Sequence, residues 1–517
     1  MTTPPPTQPD ATVIRDTLAL ALDRHMAGRF AEAEDLYARV LGVDPDHPDA
    51  LHLLGMLMGQ VGRHDLGLEL VGRAAALRPE APDIRIDRAV LLDAAGHHGP
   101  ALEAGRRAMA IDPSFAEGWT DLSALLRNAG RTDAAIAGLE RAVRLIPGLD
   151  TARERLASLL REKGRLMVDM GRNREALPTL ERAATLAPLD ADIAFWQANA
   201  LYAHGRLERA VRAYGRAAAV VPDFASALFN LGVTQINRLE LEAGIAVLGW
   251  VQRLMPDAEE PRESRLAALV RCGRWDEARR ESADLLALKL RPADGPHPPS
   301  GPPAARAGGP RTMDVVAFSL WGAQPLHTIG AEENARLAPQ LYPGWECRVY
   351  HDGSVPPAVL DALADAGARL IPMPDGGDGG GFYWRYLVSD DPLVRRFVCR
   401  SCHARINPRE AAAVRDWIAS DRPFHVMRDH VLHTDPMMGG LWGGMAGVLP
   451  PLAPLVGRFA RSATGPRQDR RFLRQQVWPL VRDRALIHDA HHPGHGVLFP
   501  PVIDAGAAGH VGGMVRV

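Results

Sequence analysis

From residue 12 to residue 290, apolar positions recur at the spacing of amphipathic helices, and a longer period overlies them. Prolines stand at 45, 79, 113 and 147 and again at 188, 222 and 256, stepping by 34 residues within each run. Seventeen residues before each proline lies a second column: Gly28, Gly62, Gly96, Gly130, Gly171, Gly205 and, in place of a glycine, Leu239. Gly273 continues it. Five residues further on, a third column holds only small side chains: Ala33, Gly67, Ala101, Ala135, Ala176, Ala210, Gly244 and Ala278. The glycine lets the chain leave one helix through a tight turn. The small residue lets that helix and the next approach closely. The proline ends the second helix, because it has no N–H to donate and clashes with the preceding turn. About eight helical hairpins are predicted. The step from Pro147 to Pro188 is 41 residues, and the surplus is expected to lengthen one helix pair or kink the array.

One unit of the frame reads Trp119, Leu122, Gly130, Ala135, Leu139, Ala142 and Pro147. This resembles the tetratricopeptide (TPR) repeat. The resemblance implies an α-solenoid, a TPR superhelix whose concave face is made mainly by the first helix of each pair. It also implies a protein or peptide held in that groove; the alternative is a spacer or a self-association platform. No asparagine or basic residue recurs on the first helices, so the ligand is not readable.

The period changes after residue 290. Residues 291–311 (RPADGPHPPSGPPAARAGGPR) sustain neither helix nor central strand and read as a linker. From 312 to 517 an α/β domain is expected. MDVVAFSLWG (313–322) is a short β-branched apolar run ending in glycine, the pattern of a buried parallel strand. AEENARLAPQLYPG, WECRVYHDG, VPPAVLDALADAG and ARLIPMP continue as helix, strand, helix and strand. RRFVCR (395–400) and PFHVMRD (423–429) read as further strands, and DRRFLRQQVWPLV (469–481) as an amphipathic helix. DGGDGGG (375–381) reads as a loop, and MMGGLWGG (437–444) as a glycine-rich segment. The alternation implies a right-handed, doubly wound parallel sheet, with ligands at the carboxyl ends of its strands.

Composition removes several classes. The net charge is −2, which draws the chain to neither nucleic acid nor membrane. No apolar run is long enough to span a bilayer, and MTTPPPTQPD has no signal-peptide character. Four cysteines in 517 residues do not make a disulfide framework, and a cytoplasmic location is expected.

The segments SLWG, YPGWECRVYHDGSVP, WRYLVSDDP, RINPREAAAV, FHVMRDH, GGLWGG and FLRQQVWP together resemble a bacterial family of GT-A-type glycosyltransferases. The resemblance implies a nucleotide-sugar donor and a divalent metal. Such chemistry needs a cation for the leaving diphosphate, and hard oxygen ligands suit Mg²⁺ or Mn²⁺. Where the family leads one to expect R-D-x-D-S-R, this chain has Arg400, Ser401, Cys402, His403, Ala404 and Arg405. Both aspartates are replaced, so a metal would rely on His403 in a weakened site. The alternative is that Arg400 and Arg405 carry the diphosphate themselves. A second departure is Arg470, beside Asp469, where the family has glutamine.

Further roles follow from the resemblance. Trp384 is expected to stack on the donor and Arg385 to meet its phosphates. Asp429 or Asp469 would orient or deprotonate the acceptor. His488, in the cluster with Asp489, His491 and His492, is a candidate second metal ligand. His351 and Asp352 end a strand where a base or ribose would sit. Each has a plainer reading: Trp384 as core, Asp429 as a cap or a partner for Arg428, and the histidines as a solvated loop. Cys399-Arg-Ser-Cys402-His403 matches the haem-attachment pattern, but haem needs an exported chain. A zinc site there needs both cysteines on one face. The expected function is a TPR-linked glycosyltransferase. The competing class is a non-catalytic TPR scaffold with a decayed transferase domain.

Overall fold

The computed structural model describes residues 11–291, 310–374, 380–462, 468–501 and 510–513. Most of the expected linker and most of the DGGDGGG loop lie outside the described residues. The chain forms two compact units, 1–238 and 239–517. Compactness therefore divides the chain earlier than composition does.

Between Ala11 and Leu290 the described residues form sixteen helices, paired as hairpins. The three columns explain the pairing. Gly28, Gly62, Gly96, Gly130, Gly171, Gly205 and Gly273 all take φ between 70° and 83°. Each closes its helix with the amide of the next residue reaching back across the turn, as Arg131 N does to Leu126 O at 2.8 Å. Leu239 adopts φ 67° in the same slot. Ala33, Ala101, Ala135, Ala176, Ala210 and Ala278 have no exposed surface. A Cβ on Gly67 would stand 2.7 Å from the carbonyl oxygen of Gly55. The second helices end at Val43, Leu77, Ile111, Leu145, Leu186, Val220 and Leu254, two residues short of each proline. The surplus residues lengthen a single helix, Asp150–Asp169, to 20 residues where Ala116–Asn128 has 13.

The second unit holds the last repeat helices and one seven-stranded sheet. Its strands are β1 (Met313–Leu320), β2 (Glu346–His351), β3 (Arg369–Pro372), β4 (Val394–Cys399), β5 (Phe424–Arg428), β6 (Trp442–Met445) and β7 (Ala485–Asp489). They lie in the order β3-β2-β1-β4-β6-β5-β7. Alternate residues of β1 serve opposite cores. Val315 and Ala317 join Phe397, Phe424 and Trp442 on one face. Val316, Phe318 and Leu320 join Val398 and Trp417 on the other. Helices Pro325–Leu341, Pro357–Asp365 and Pro408–Ala419 contribute to that second layer.

The sheet is mixed rather than wholly parallel, because β6 runs antiparallel to both β4 and β5. Sequence reading took this stretch for a glycine-rich segment. The glycines are there for space: a Cβ on Gly443 would meet Phe397 O at 2.5 Å, and one on Gly444 would meet the Phe424 ring at 2.7 Å. WRYLVSD folds as a 3₁₀ helix, Trp384–Asp390. The expected amphipathic helix is broken by a π turn, running Gln468–Phe472, Leu473–Val477 and Trp478–Val481. Among the described residues no helix is long and apolar enough to cross a membrane.

Candidate functional site

A strand order that turns back on either side of β1 makes a crevice at its carboxyl end, where open α/β sheets take their ligands. The cleft lies there. Its wall comes from the end of β1 (Ser319, Leu320) and from Trp321. The loop after β4 adds Ser401, Cys402 and His403, and Arg385 and Asp469 close it. His327 and Phe382 complete the lining. The enclosed space is about 110 Å³, room for a phosphate-sized group rather than a whole nucleotide.

Arg385 is the organising charge. It is buried, and its backbone N–H, Nε and Nη2 are all bonded. Its backbone N–H donates to Ser319 Oγ at 2.9 Å and its Nε to Gly439 O at 2.9 Å. Its Nη2 donates to Tyr386 Oη at 3.3 Å and to Asp469 Oδ2 at 3.2 Å. The guanidinium also lies over the Tyr386 ring. Two glycines let the walls close this far. A Cβ on Gly439 would stand 2.2 Å from Asp469 Oδ2, and one on Gly440 2.3 Å from Ser401 Oγ. His403 and His327 face each other with ring centroids 5.6 Å apart. Burial first, and then the neighbouring His327 ring and the guanidinium groups of Arg385 and Arg470, push His403 down to about 4. It is therefore neutral near pH 7.

Of the residues singled out from sequence, the cleft brings together Arg385, Ser401, Cys402, His403 and Asp469. The others are elsewhere. Trp384 is buried in the core, edge-on to Trp321, which takes the cleft position itself. Arg400 turns to Glu410, with Nε to Oε1 at 2.5 Å, and the Tyr342 hydroxyl shares that oxygen at 2.6 Å. Arg405 is half-exposed and pairs with Glu333. Asp352 accepts from Ser354 N at 3.0 Å and from the Ser354 hydroxyl, which in turn accepts from Gly322 N at 2.7 Å. It ties the end of β2 to the end of β1.

Asp429 is gripped by Arg409, at 2.8 and 2.9 Å, and accepts from Val511 N at 2.9 Å. Its expected partner Arg428 pairs instead with Asp489 at 2.6 Å. His488 has both ring nitrogens engaged, with His425 at 2.9 Å and Asp416 at 3.0 Å, so it does not join His403. Sequence reading missed Ser319, Trp321 and His327 as cleft residues. SLWG at the end of β1 carried the signal for the first two; nothing local marks His327.

The residues present do not fit a hard divalent cation. The cleft lining offers one carboxylate, Asp469, and it is paired with Arg385. Among the described residues no three His, Cys, Asp or Glu side chains are grouped to hold a metal. The zinc and haem readings fail on the same ground. Cys399 points into one core and Cys402 into the other, and burial pushes both thiols up to about 12.

The tetratricopeptide repeat family model matches residues 161–220 and 197–249. The hairpins over 161–249 are tetratricopeptide repeats, and the array they belong to is tetratricopeptide-like. Many solved structures are similar to this chain. One is the Naa15/Naa10 complex bound to HypK-THB: 19% identity over 46% of this chain and 36% of that one, TM-score 0.36. The chain thus spans little more than a third of that protein's length. YrrB, a TPR protein with an unusual peptide-binding site, has 22% identity over 37% of this chain and 95% of its own, TM-score 0.29. TTC0263, a thermophilic TPR protein of Thermus thermophilus, has 25% identity over 37% and 99%, TM-score 0.28. These scores are too low to bear on function. No curated protein matches the chain.

Proposed function

We propose that this protein is a TPR-linked glycosyltransferase: the repeats bind a polypeptide partner, and the cleft binds a nucleotide-sugar through its diphosphate. The observation that carries the reading is the buried, four-times-anchored Arg385 at the carboxyl end of β1. A fixed guanidinium in a site of low dielectric is a strong partner for a phosphate and needs no reorganisation to act. The small cleft suits one phosphate of the diphosphate at a time, and Trp321 adds an aromatic wall to its lining. Under this proposal Asp469, held by its hydrogen bond to Arg385, takes the acceptor hydroxyl's proton. On this reading Arg385 supplies the positive charge that the missing aspartates would have drawn from a metal.

A second reading has its own observation. Asp469 is the sole carboxylate of the described lining and is already an ion pair, which favours a domain that recognises a glycan or partner without turnover. Calorimetric titration of the full chain with UDP-, GDP- and CMP-sugars, with and without Mn²⁺, tests the first proposal. Binding that does not require Mn²⁺ is expected, and no binding to any of them sinks it. Binding without donor hydrolysis or transfer would select the second.

A further inference from the structure

In the second unit the last repeat hairpin is joined to the sheet by buried charge. Its helices are Glu259–Arg271 and Trp275–Leu290. Lys289, whose side chain is 1% exposed, donates to Glu263 at 2.6 Å in its own hairpin and to Asp435 Oδ1 at 2.9 Å beyond it. The other oxygen of Asp435 accepts from Arg470 Nη1 at 3.1 Å. Arg470 adjoins Asp469 in the helix that closes the cleft. Four residues on, Arg474 in the π turn donates to Glu259 at 2.6 Å, back in the hairpin. Ser282 of the second helix donates to Val431 O at 2.5 Å and meets His492 Nε2 at 2.7 Å. The hairpin thus holds the cleft helix directly at Arg474 and, through Asp435, at Arg470, and it meets the 431–435 loop at Val431 and Asp435.

Taking Lys289 and Asp435 out of water is costly unless both stay paired, so this chain of contacts is fixed or absent rather than loosely made. It also gives Arg470 a role. That arginine stands where the resembled family has glutamine, and its partner is a carboxylate that the repeats hold.

We infer that the last repeat hairpin buttresses the cleft without lining it, with Lys289 and Arg470 as positioning residues that hold the helix bearing Asp469. Neither residue lines the cleft. The array is then coupled mechanically to the site: whatever shifts the last hairpin shifts Asp469 against Arg385. The positioning itself is independent of what binds, and only its effect on affinity rests on the function proposed above.

Hydrogen exchange on the full chain tests it, comparing Arg470→Gln, Lys289→Gln, the double variant, and Arg279→Gln as control. Arg279 lies on the same helix but is exposed and pairs only locally, with Asp276. Arg470→Gln should speed exchange of amides 469–481 by about tenfold or more while leaving the hairpin and β1–β5 protected. Lys289→Gln should loosen both 469–481 and the hairpin. The double variant should add little at 469–481, because both changes cut one chain of contacts. Arg279→Gln should change neither. Wild-type exchange at 469–481 in Arg470→Gln, or an equal rise throughout the sheet, overturns the inference. If Lys289→Gln does not fold, Arg470→Gln decides alone. UDP affinity is read on the same proteins, and Arg470→Gln should weaken it. If none of UDP, GDP and CMP binds any form, the proposed function falls while the exchange result still decides this inference.

Discussion

The two units bury different things. Among the described residues of 11–238 the buried polar side chains are few and uncharged or nearly so: His25, Thr120, Ser123, Gln197 and Thr234. Charges there sit at the surface in pairs such as Arg107–Glu103 and Lys163–Asp133, which contribute little each. From 239 onward Glu281, Lys289, Arg348, Arg385, Arg400, Glu410, Arg428, Asp429, Asp435 and Asp489 are all buried. A buried ion pair is seldom a net stabiliser against well-packed apolar side chains. The repeats are therefore built for stability by close packing of alanine and leucine. The second unit accepts costly charge, in its sheet and in the last repeat hairpin alike, and part of that charge fixes where the cleft residues stand.

The sharpest way to break this contrast is to unpair a buried charge. Arg428 is 1% exposed and is bound to Asp489, to Pro436 O at 3.1 Å and to His495 O at 3.0 Å. Arg428→Met takes the guanidinium from Asp489, which keeps only the His492 ring and the backbone N–H groups of His491 and His492, and is expected to cost the second unit about 3–5 kcal/mol, measured by urea unfolding. Adding Asp489→Leu should restore much of the loss, since no charge then remains buried. A loss in the single variant of the size seen for surface pairs would contradict the picture.

Acid should separate the units next. Nine described histidines of the second unit are pushed below their ordinary value, with burial the leading cause in every one: His327, His403, His425, His430, His433, His488, His491, His495 and His510. Such a group stays neutral when folded and takes a proton when unfolded. Its contribution is thus complete above about pH 6.5 and is lost as pH falls. For His403 and His430 the loss runs down to about 4. Each proton taken up on unfolding costs about 1.4 kcal/mol per pH unit in that window. The second unit should lose its exchange protection on going from pH 7.5 to 5 before the first does. Equal loss in both would refute this.

The same contrast explains what could be read from sequence. The repeats were legible because each constraint is local: a left-handed turn wants glycine, and a tight crossing wants alanine. The columns at Gly130 and Ala135 state this directly. The sheet was legible where a strand looked like one, as in β1 and β4. It was not legible at β6, where Gly443 and Gly444 answer to neighbours remote in sequence rather than to strand propensity. The cleft fared likewise. Arg385 and Asp469 were found, but their pairing across 84 positions was not. Arg400 was assigned to the ligand because nothing in RINPRE announces that Glu410 claims it.

A smaller effect sharpens the cleft itself. Asp469→Asn removes the counter-charge from Arg385 while keeping its shape. If Arg385 receives a diphosphate, UDP binding should tighten about tenfold, equivalent to ~1.4 kcal/mol, while transfer is lost. Unchanged affinity by calorimetry would mean that Arg385 serves the fold and not the ligand.

The smallest expected change concerns the one place where the repeats break their own rule. Leu239 holds φ 67° where the other hairpins have glycine. The left-handed conformation costs a residue with a Cβ about 1–2 kcal/mol. Glycine removes that cost but adds freedom to the unfolded chain, which takes back about 0.4–1 kcal/mol. The side chain is 71% exposed, so its removal forfeits little packing. Leu239→Gly should therefore stabilise the protein by about 0.5–1 kcal/mol in urea unfolding. Leu239→Ala keeps the Cβ and should gain nothing. If alanine gains as much as glycine, the backbone at this turn is not under strain, and Leu239 departs from the glycine column without penalty.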